Sequence, residues 1–169
     1  LASRLSRQHP PRMKTIRLHW AVLCLLSLSV AAAPRFTVAP FSADVTVPIG
    51  HGMMGGYWKA KSVVDPLYAK GVVLSGGDKP GVFVSVDWCE IRNASFDRGR
   101  EMLAKAAGTT RERVLVSAIH QHDAPVTDLE AQRILERGGL EGSVCDLAFH
   151  EKAVERVAAA VRASLKNPK

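Results

Sequence analysis

The sequence lacks the usual marks of several large function classes. It has no internal repeat and no low-complexity tract. After residue 33 it has no apolar run near the roughly 18 residues that a membrane-spanning helix needs. Its glycine-rich stretch, His51-Gly52-Met53-Met54-Gly55-Gly56-Tyr57, carries no Gly-Lys-Ser/Thr and does not open a helix as G-x-G-x-x-G. Neither phosphate-binding motif is therefore present. These glycines instead let the backbone turn with positive φ or approach another segment closely. Cysteine is scarce: of three, only Cys89 and Cys145 lie beyond residue 33. In an exported protein these two can form one disulfide. Cys89 ends an apolar strand and Cys145 opens a helix, so two separate semi-buried thiols fit equally well.

The apparent basic excess is also short-lived. The chain carries a formal charge of +7, but residues 1–33 hold five of its 23 basic residues and none of its 16 acidic ones. The remainder has 18 basic and 16 acidic residues, a net charge of +2. That balance gives no case for a nucleic-acid partner.

Residues 1–33 read as a leader. Met13-Lys14-Thr15-Ile16-Arg17 is a basic start, residues 20–30 are apolar, and Ala31-Ala32-Ala33 is a small-residue exit. That order is a secretory signal peptide with cleavage near Ala32 or Ala33. Met13 reads as the true start. Leu23 before Cys24 argues against a lipoprotein site. The expected location is secreted or periplasmic, with no membrane span after cleavage. Residues 34–43, with Pro34 and Pro40, read as a linker, and the domain is expected over 44–169.

Within that domain, residues 44–50 look extended. Residues 67–74 read as a strand with Ala69, Gly71 and Val73 on one face. Residues 75–81 form a turn, and 82–89 a second strand joined to the first as a hairpin. Asp87 and Glu90 stand where an α/β sheet carries its chemistry. A helix is expected over 95–107, capped by Asn93 or Ser95 and ended by Gly108. A strand follows over 113–119. A short helix is expected near 129–137, then a long amphipathic one over 146–165 with Val154, Val157, Ala158, Val161 and Leu165 on one face. This order predicts an α/β class with a mixed β-sheet and packed helices.

The chemistry gathers at the end of the 113–119 strand. A period of two carried on through it puts His120 and His122 on one side, and Pro125 stops the ladder. Two neutral imidazoles there can both reach one metal ion, whereas a catalytic zinc usually takes three protein ligands and a water. The pattern is not His-x-His-x-Asp-His, because Ala124 and Pro125 break it. In an amidohydrolase barrel, His-x-His belongs on the first strand, and here it follows several elements. Asp123 and Asp128 are near enough in sequence to orient the imidazoles, although ordinary loop acids are the plainer reading. His150 falls on the buried side of the last helix, as a third ligand or, more simply, as a satisfied histidine at a helix–sheet boundary. His51 in the glycine stretch is a weaker candidate for lining the site. His9 and His19 belong to the leader.

Three stretches, in order, resemble the neutral/alkaline (non-lysosomal) ceramidase family. They are Asp44-Val45-Thr46 with Pro48-Ile49-Gly50 and Met53-Met54-Gly55; Phe83-Val84-Ser85-Val86-Asp87-Trp88-Cys89; and Ser117-Ala118-Ile119-His120-Gln121-His122-Asp123-Ala124-Pro125. The last is similar to the family's Ser-Ala/Gly-Thr-His-Thr-His-Ser-Gly-Pro signature, with Gln121, Asp123 and Ala124 in place of Thr, Ser and Gly. The resemblance covers about residues 44–165 and implies a zinc amidohydrolase that cuts the N-acyl bond of a sphingolipid or a related lipid amide. It implies His120 as a Zn2+ ligand and His122 as the catalytic histidine beside the reacting groups. It also implies that the chain is the incomplete N-terminal part of a larger catalytic domain, inactive alone, because the family's remaining ligands lie further downstream. The alternative is a secreted, non-catalytic binding or scaffold domain that keeps the fold without the chemistry.

Overall fold

Strands with alternating burial build the main sheet. The computed structural model describes residues 35–169. The leader, its expected signal peptide and Met13 lie outside the described residues. The sheet has four strands in the order β1-β4-β5-β7: β1 Thr37–Asp44, β4 Tyr68–Ser75, β5 Gly81–Val86 and β7 Val114–Ala118. β1 and β5 each pair antiparallel with β4, while β7 pairs parallel with β5, so the sheet is mixed as expected. The β4–β5 hairpin turns through the glycine-rich stretch before Gly81.

The linker expected at 34–43 is corrected by β1. Ala39, Phe41 and Ala43 are buried while Pro40, Ser42 and Asp44 are exposed, a strict period of two. Pro40 sits on the edge strand, where a missing N–H can fall on the open side of the ladder. The domain therefore begins before residue 44. The extended segment expected at 44–50 is instead the end of β1 followed by irregular chain, anchored by buried Val45 and Val47.

Helix α1 Asn93–Ala107 and helix α3 Leu147–Ser164 cover one face of the sheet. Ala69, Val73 and Val82 are wholly buried beneath them, with Leu103 of α1 and Val161 of α3 in the same core. Each buried valine contributes on the order of 1.5–3 kcal/mol of transfer free energy. Gly108 ends α1 with φ of 67°, as expected. Neither expected cap acts as one: the Asn93 amide donates to Asp128, and the Ser95 hydroxyl accepts from the Leu129 N–H. Asp146 does cap α3 by accepting from the Phe149 N–H. The short helix α2 Leu129–Glu136 is capped by Asp128, which accepts from the Ala131 N–H.

Among the described residues no helix covers the opposite sheet face. Pro40, Val72, Phe83 and Leu115 are successive cross-strand partners along one row, and Phe83 and Leu115 are 45% and 56% exposed. Two small ribbons complete the fold. β2 Gly52–Met53 pairs antiparallel with β3 Trp58–Lys59, and β6 Glu90–Ile91 pairs parallel with β8 Val126–Thr127. The glycine stretch is thus a tight ribbon. A Cβ on Gly56 would lie 2.2 Å from the Ser143 carbonyl oxygen, and one on Gly52 2.6 Å from that of Val144. Both glycines are there for close backbone approach. Among the described residues no helix is long and apolar enough to cross a membrane.

Candidate functional site

The parallel pair β5–β7 delivers its carboxyl ends to one place, where α/β sheets bind ligands. After β5, Asp87, Trp88 and Cys89 turn sharply. The Asp87 carboxylate accepts from the Tyr68 N–H at 2.9 Å and so secures the start of β4. The Trp88 indole N–H donates to the Val45 carbonyl at 3.1 Å and fixes the turn in the core. Cys89 then lies buried, its N–H held by the Pro125 carbonyl.

The strand does not reach the histidines. β7 stops at Ala118, and His120 has a φ of 62°. The expected cause of their pairing, a continued period of two, is therefore corrected. A left-handed residue brings the rings together instead, with the His120 N–H tied to the Trp88 carbonyl at 3.2 Å. The two rings meet edge to face, 5.3 Å between centroids and 80° between planes. Gln121 braces the turn from inside by donating to the carbonyls of Asp87 and Asp123.

His120 Nδ1 looks back toward the β5–β6 turn. It lies 3.2 Å from the Cys89 carbonyl, 3.9 Å from Cys89 Sγ and 3.8 Å from Glu90 Oε1. Acceptors converge on that nitrogen, so the Nδ1–H tautomer satisfies them in the metal-free chain, and an ion held at Nδ1 would displace that proton. Glu90 is held by an ion pair with Arg92. Cys89 Sγ also touches Met54 Sδ at 3.4 Å. Burial pushes the Cys89 thiol up, with the Glu90 charge adding to it and Arg92 opposing. Cys89, His120 and His122 each offer a ligand atom within 4.8 Å of the others. One sulfur and two imidazoles form a donor set that suits zinc and similar borderline ions. Sequence reasoning placed Cys89 at a strand end but not in this cluster, because its partners are 31 and 33 positions away.

The other candidates lie elsewhere. His150 is 1% exposed and packs against the Trp88 ring at 6.1 Å, facing an apolar cavity of about 40 Å³. Its Nδ1 has no hydrogen-bond partner among the described residues, and burial lowers its pKa to about 4. It is a core histidine outside the Cys89–His120–His122 group, and the expectation that it would be satisfied there is corrected at Nδ1. His51 uses both ring nitrogens structurally: Nδ1 donates to the Gly52 carbonyl at 2.7 Å and Nε2 accepts from the Asp146 N–H at 3.1 Å. Burial lowers its pKa as well. Asp128 is spent on the α2 cap and on Asn93. Asp123 is exposed and makes no side-chain hydrogen bond to either histidine among the described residues. Cys145 is a separate buried thiol near the Asp128 carbonyl, so no disulfide joins it to Cys89. A surface groove of about 560 Å³ is lined by Gln121 and Asp123 together with Lys59, Lys61 and Asp65, and Met53, Trp58, Val63, Val64 and Leu67 supply much of its apolar wall.

No protein-family model matches the chain, and no curated protein does. Solved structures match it in fold. One is a ceramidase complexed with C2, with a TM-score of 0.62 and 18% identity, over 82% of this chain and 22% of that one. Another is the neutral ceramidase from Pseudomonas aeruginosa, with a TM-score of 0.60 and 19% identity, over the same shares of the two chains. The mixed α/β fold is therefore shared with part of these structures, and the chain spans about a fifth of their length.

Proposed function

We propose that this chain carries part of the catalytic domain of an exported, zinc-dependent amide hydrolase acting on N-acyl sphingolipids or related lipid amides. The observation that carries the reading is the His120–His122 pair at the carboxyl ends of β5 and β7, in a chain whose fold matches neutral ceramidase structures. The donor chemistry at the site fits zinc, with His120 as a ligand. Bound zinc would supply Lewis acidity and a water of lowered pKa. His122, exposed beside His120, would move a proton or hydrogen-bond the developing oxyanion. The groove lined by Gln121 and Asp123, with Met53, Trp58, Val63, Val64 and Leu67 among polar and charged neighbours, offers room for a lipid chain. The bare row Pro40–Val72–Phe83–Leu115 suits coverage by the rest of a larger domain.

The test begins with the transcript. It should continue in frame beyond the Lys169 codon and encode a further His, a Glu and a Tyr. The extended protein should release fatty acid from a short-chain ceramide analogue, lose that activity to a chelator and regain it with zinc. His120→Ala and His122→Ala should each remove it. Chelator-resistant hydrolysis, or full activity in His122→Ala, would overturn the assignment. A stop codon after Lys169 with no hydrolysis by the chain would favour a non-catalytic binding domain instead.

A further inference from the structure

The structure assigns Cys89 as a ligand of the metal ion that His120 holds, with His122 as the third donor within reach, so that one soft-to-borderline divalent ion binds to this chain alone. The inference rests on the reading of His120 above and adds a thiolate to it. Cys89 Sγ is 3.9 Å from His120 Nδ1, and a ligand atom from each of the three residues lies within 4.8 Å of the others. In a tetrahedral zinc site the same donors would stand about 3.4–3.6 Å apart, given bond lengths near 2.3 Å to sulfur and 2.0–2.1 Å to nitrogen. The difference is about 1 Å, and the two histidines are exposed side chains that can rotate to close it.

Three independent elements converge on the sulfur. The β5–β6 turn presents it, the turn after β7 brings the imidazoles, and the glycine ribbon sets the Met54 thioether against it at 3.4 Å. Met54 and His120, which flank the sulfur, both adopt left-handed φ, 49° and 62°. Such backbone costs on the order of 1–3 kcal/mol per residue and collects at ligand clamps. A sulfur beside two imidazoles favours zinc, cobalt or copper over magnesium or calcium, which take oxygen. His122 is exposed, so its imidazole can exchange between holding the ion and hydrogen-bonding a reacting group.

The experiment is a Co2+ titration of the purified full chain under reducing conditions, followed by displacement with Zn2+. The expected result is one equivalent bound with an intense thiolate-to-cobalt charge-transfer band. Cys89→Ser should abolish that band and weaken Zn2+ binding at least tenfold, whereas Cys145→Ser and Cys24→Ser should keep both. X-ray absorption of the zinc-loaded wild-type chain, which requires no variant, should show one sulfur near 2.3 Å. A wild-type chain that binds no stoichiometric ion, or a zinc shell without sulfur, overturns the inference. Binding unchanged in Cys89→Ser but lost in His120→Ala also overturns it, while leaving the His120 assignment and the hydrolase reading intact.

Discussion

His150 should make this fold acid-sensitive well above the range in which carboxylates protonate. Its ring is buried against Trp88 and faces an apolar cavity bounded by Val84, Val86 and Val154, among others. Burial lowers its pKa from 6.5 to about 4; Glu151 opposes the shift, and Arg98 and Arg133 add to it. A folded-state pKa below the unfolded one means that the unfolded chain takes the proton first as pH falls. The neutral ring's contribution is therefore complete above about pH 6.5 and is lost as pH drops toward 4. The full loss is about 3 kcal/mol at 1.36 kcal/mol per pK unit, and about 2 kcal/mol of it falls between pH 7 and pH 5. His150→Leu keeps the volume, removes the titration and removes a buried Nδ1 that has no partner. At pH 7 the variant should be as stable as the wild type or more so. Urea unfolding from pH 7 to pH 5 should then show the wild type losing about 2 kcal/mol more than the variant. His51, whose pKa is also lowered by burial, is common to both proteins and cancels in the difference. Parallel curves for the two proteins, or a variant destabilised by several kcal/mol at pH 7, would refute this account of His150.

Gln132 is fully buried and accepts from the N–H groups of Val144 and Cys145 at 2.8 and 3.2 Å. Gln132→Leu strands both donors and should cost about 2–4 kcal/mol by urea midpoint; a loss under about 1 kcal/mol would mean that the loop finds other acceptors. Gly56→Ala, with φ of 95° and a Cβ site 2.2 Å from the Ser143 oxygen, should lower the melting temperature by more than a side-chain cap does. Asp146→Ala removes the α3 cap and should cost about 1 kcal/mol in thermal or urea unfolding. Glu151→Gln breaks the pair with Arg98, but both side chains are 39% exposed, so a double-mutant cycle should return less than about 1 kcal/mol.

The sheet was readable where one face is buried and local pattern decides. The β4–β5 hairpin, the mixed sheet, helix α3 with its Asp146 cap and the Gly108 stop of α1 all follow from period and cap chemistry within a few residues. β1 was hidden by Pro40, which outweighed a clean alternation through Ala39, Phe41 and Ala43. The proline objection holds for a central strand and lapses at an edge, and edge position is a property of the whole sheet. Asn93 and Ser95 misled for a related reason. Both residue types favour caps locally, yet here both serve the start of α2, some 35 positions on.

The site divides along the same line. Carrying the strand through His120 would leave the two imidazoles about 6.6 Å apart along the backbone, side by side, and tell nothing of a partner. Ending the ladder at Ala118 and turning at a left-handed His120 folds them edge to face and swings them toward the β5–β6 turn. Hydrogen bonds hold that turn from several sides: His120 N–H to Trp88, Gln121 to Asp87, and Cys89 N–H to Pro125. Trp88 is in turn fixed by Val45, next to the strand that looked like a linker. The placement of Cys89 beside the histidines thus depends on long-range backbone contacts from three separate stretches, and the order of those stretches along the chain does not state the contacts. The sequence-readable element was the donor pair; the third donor is a consequence of the fold that presents it.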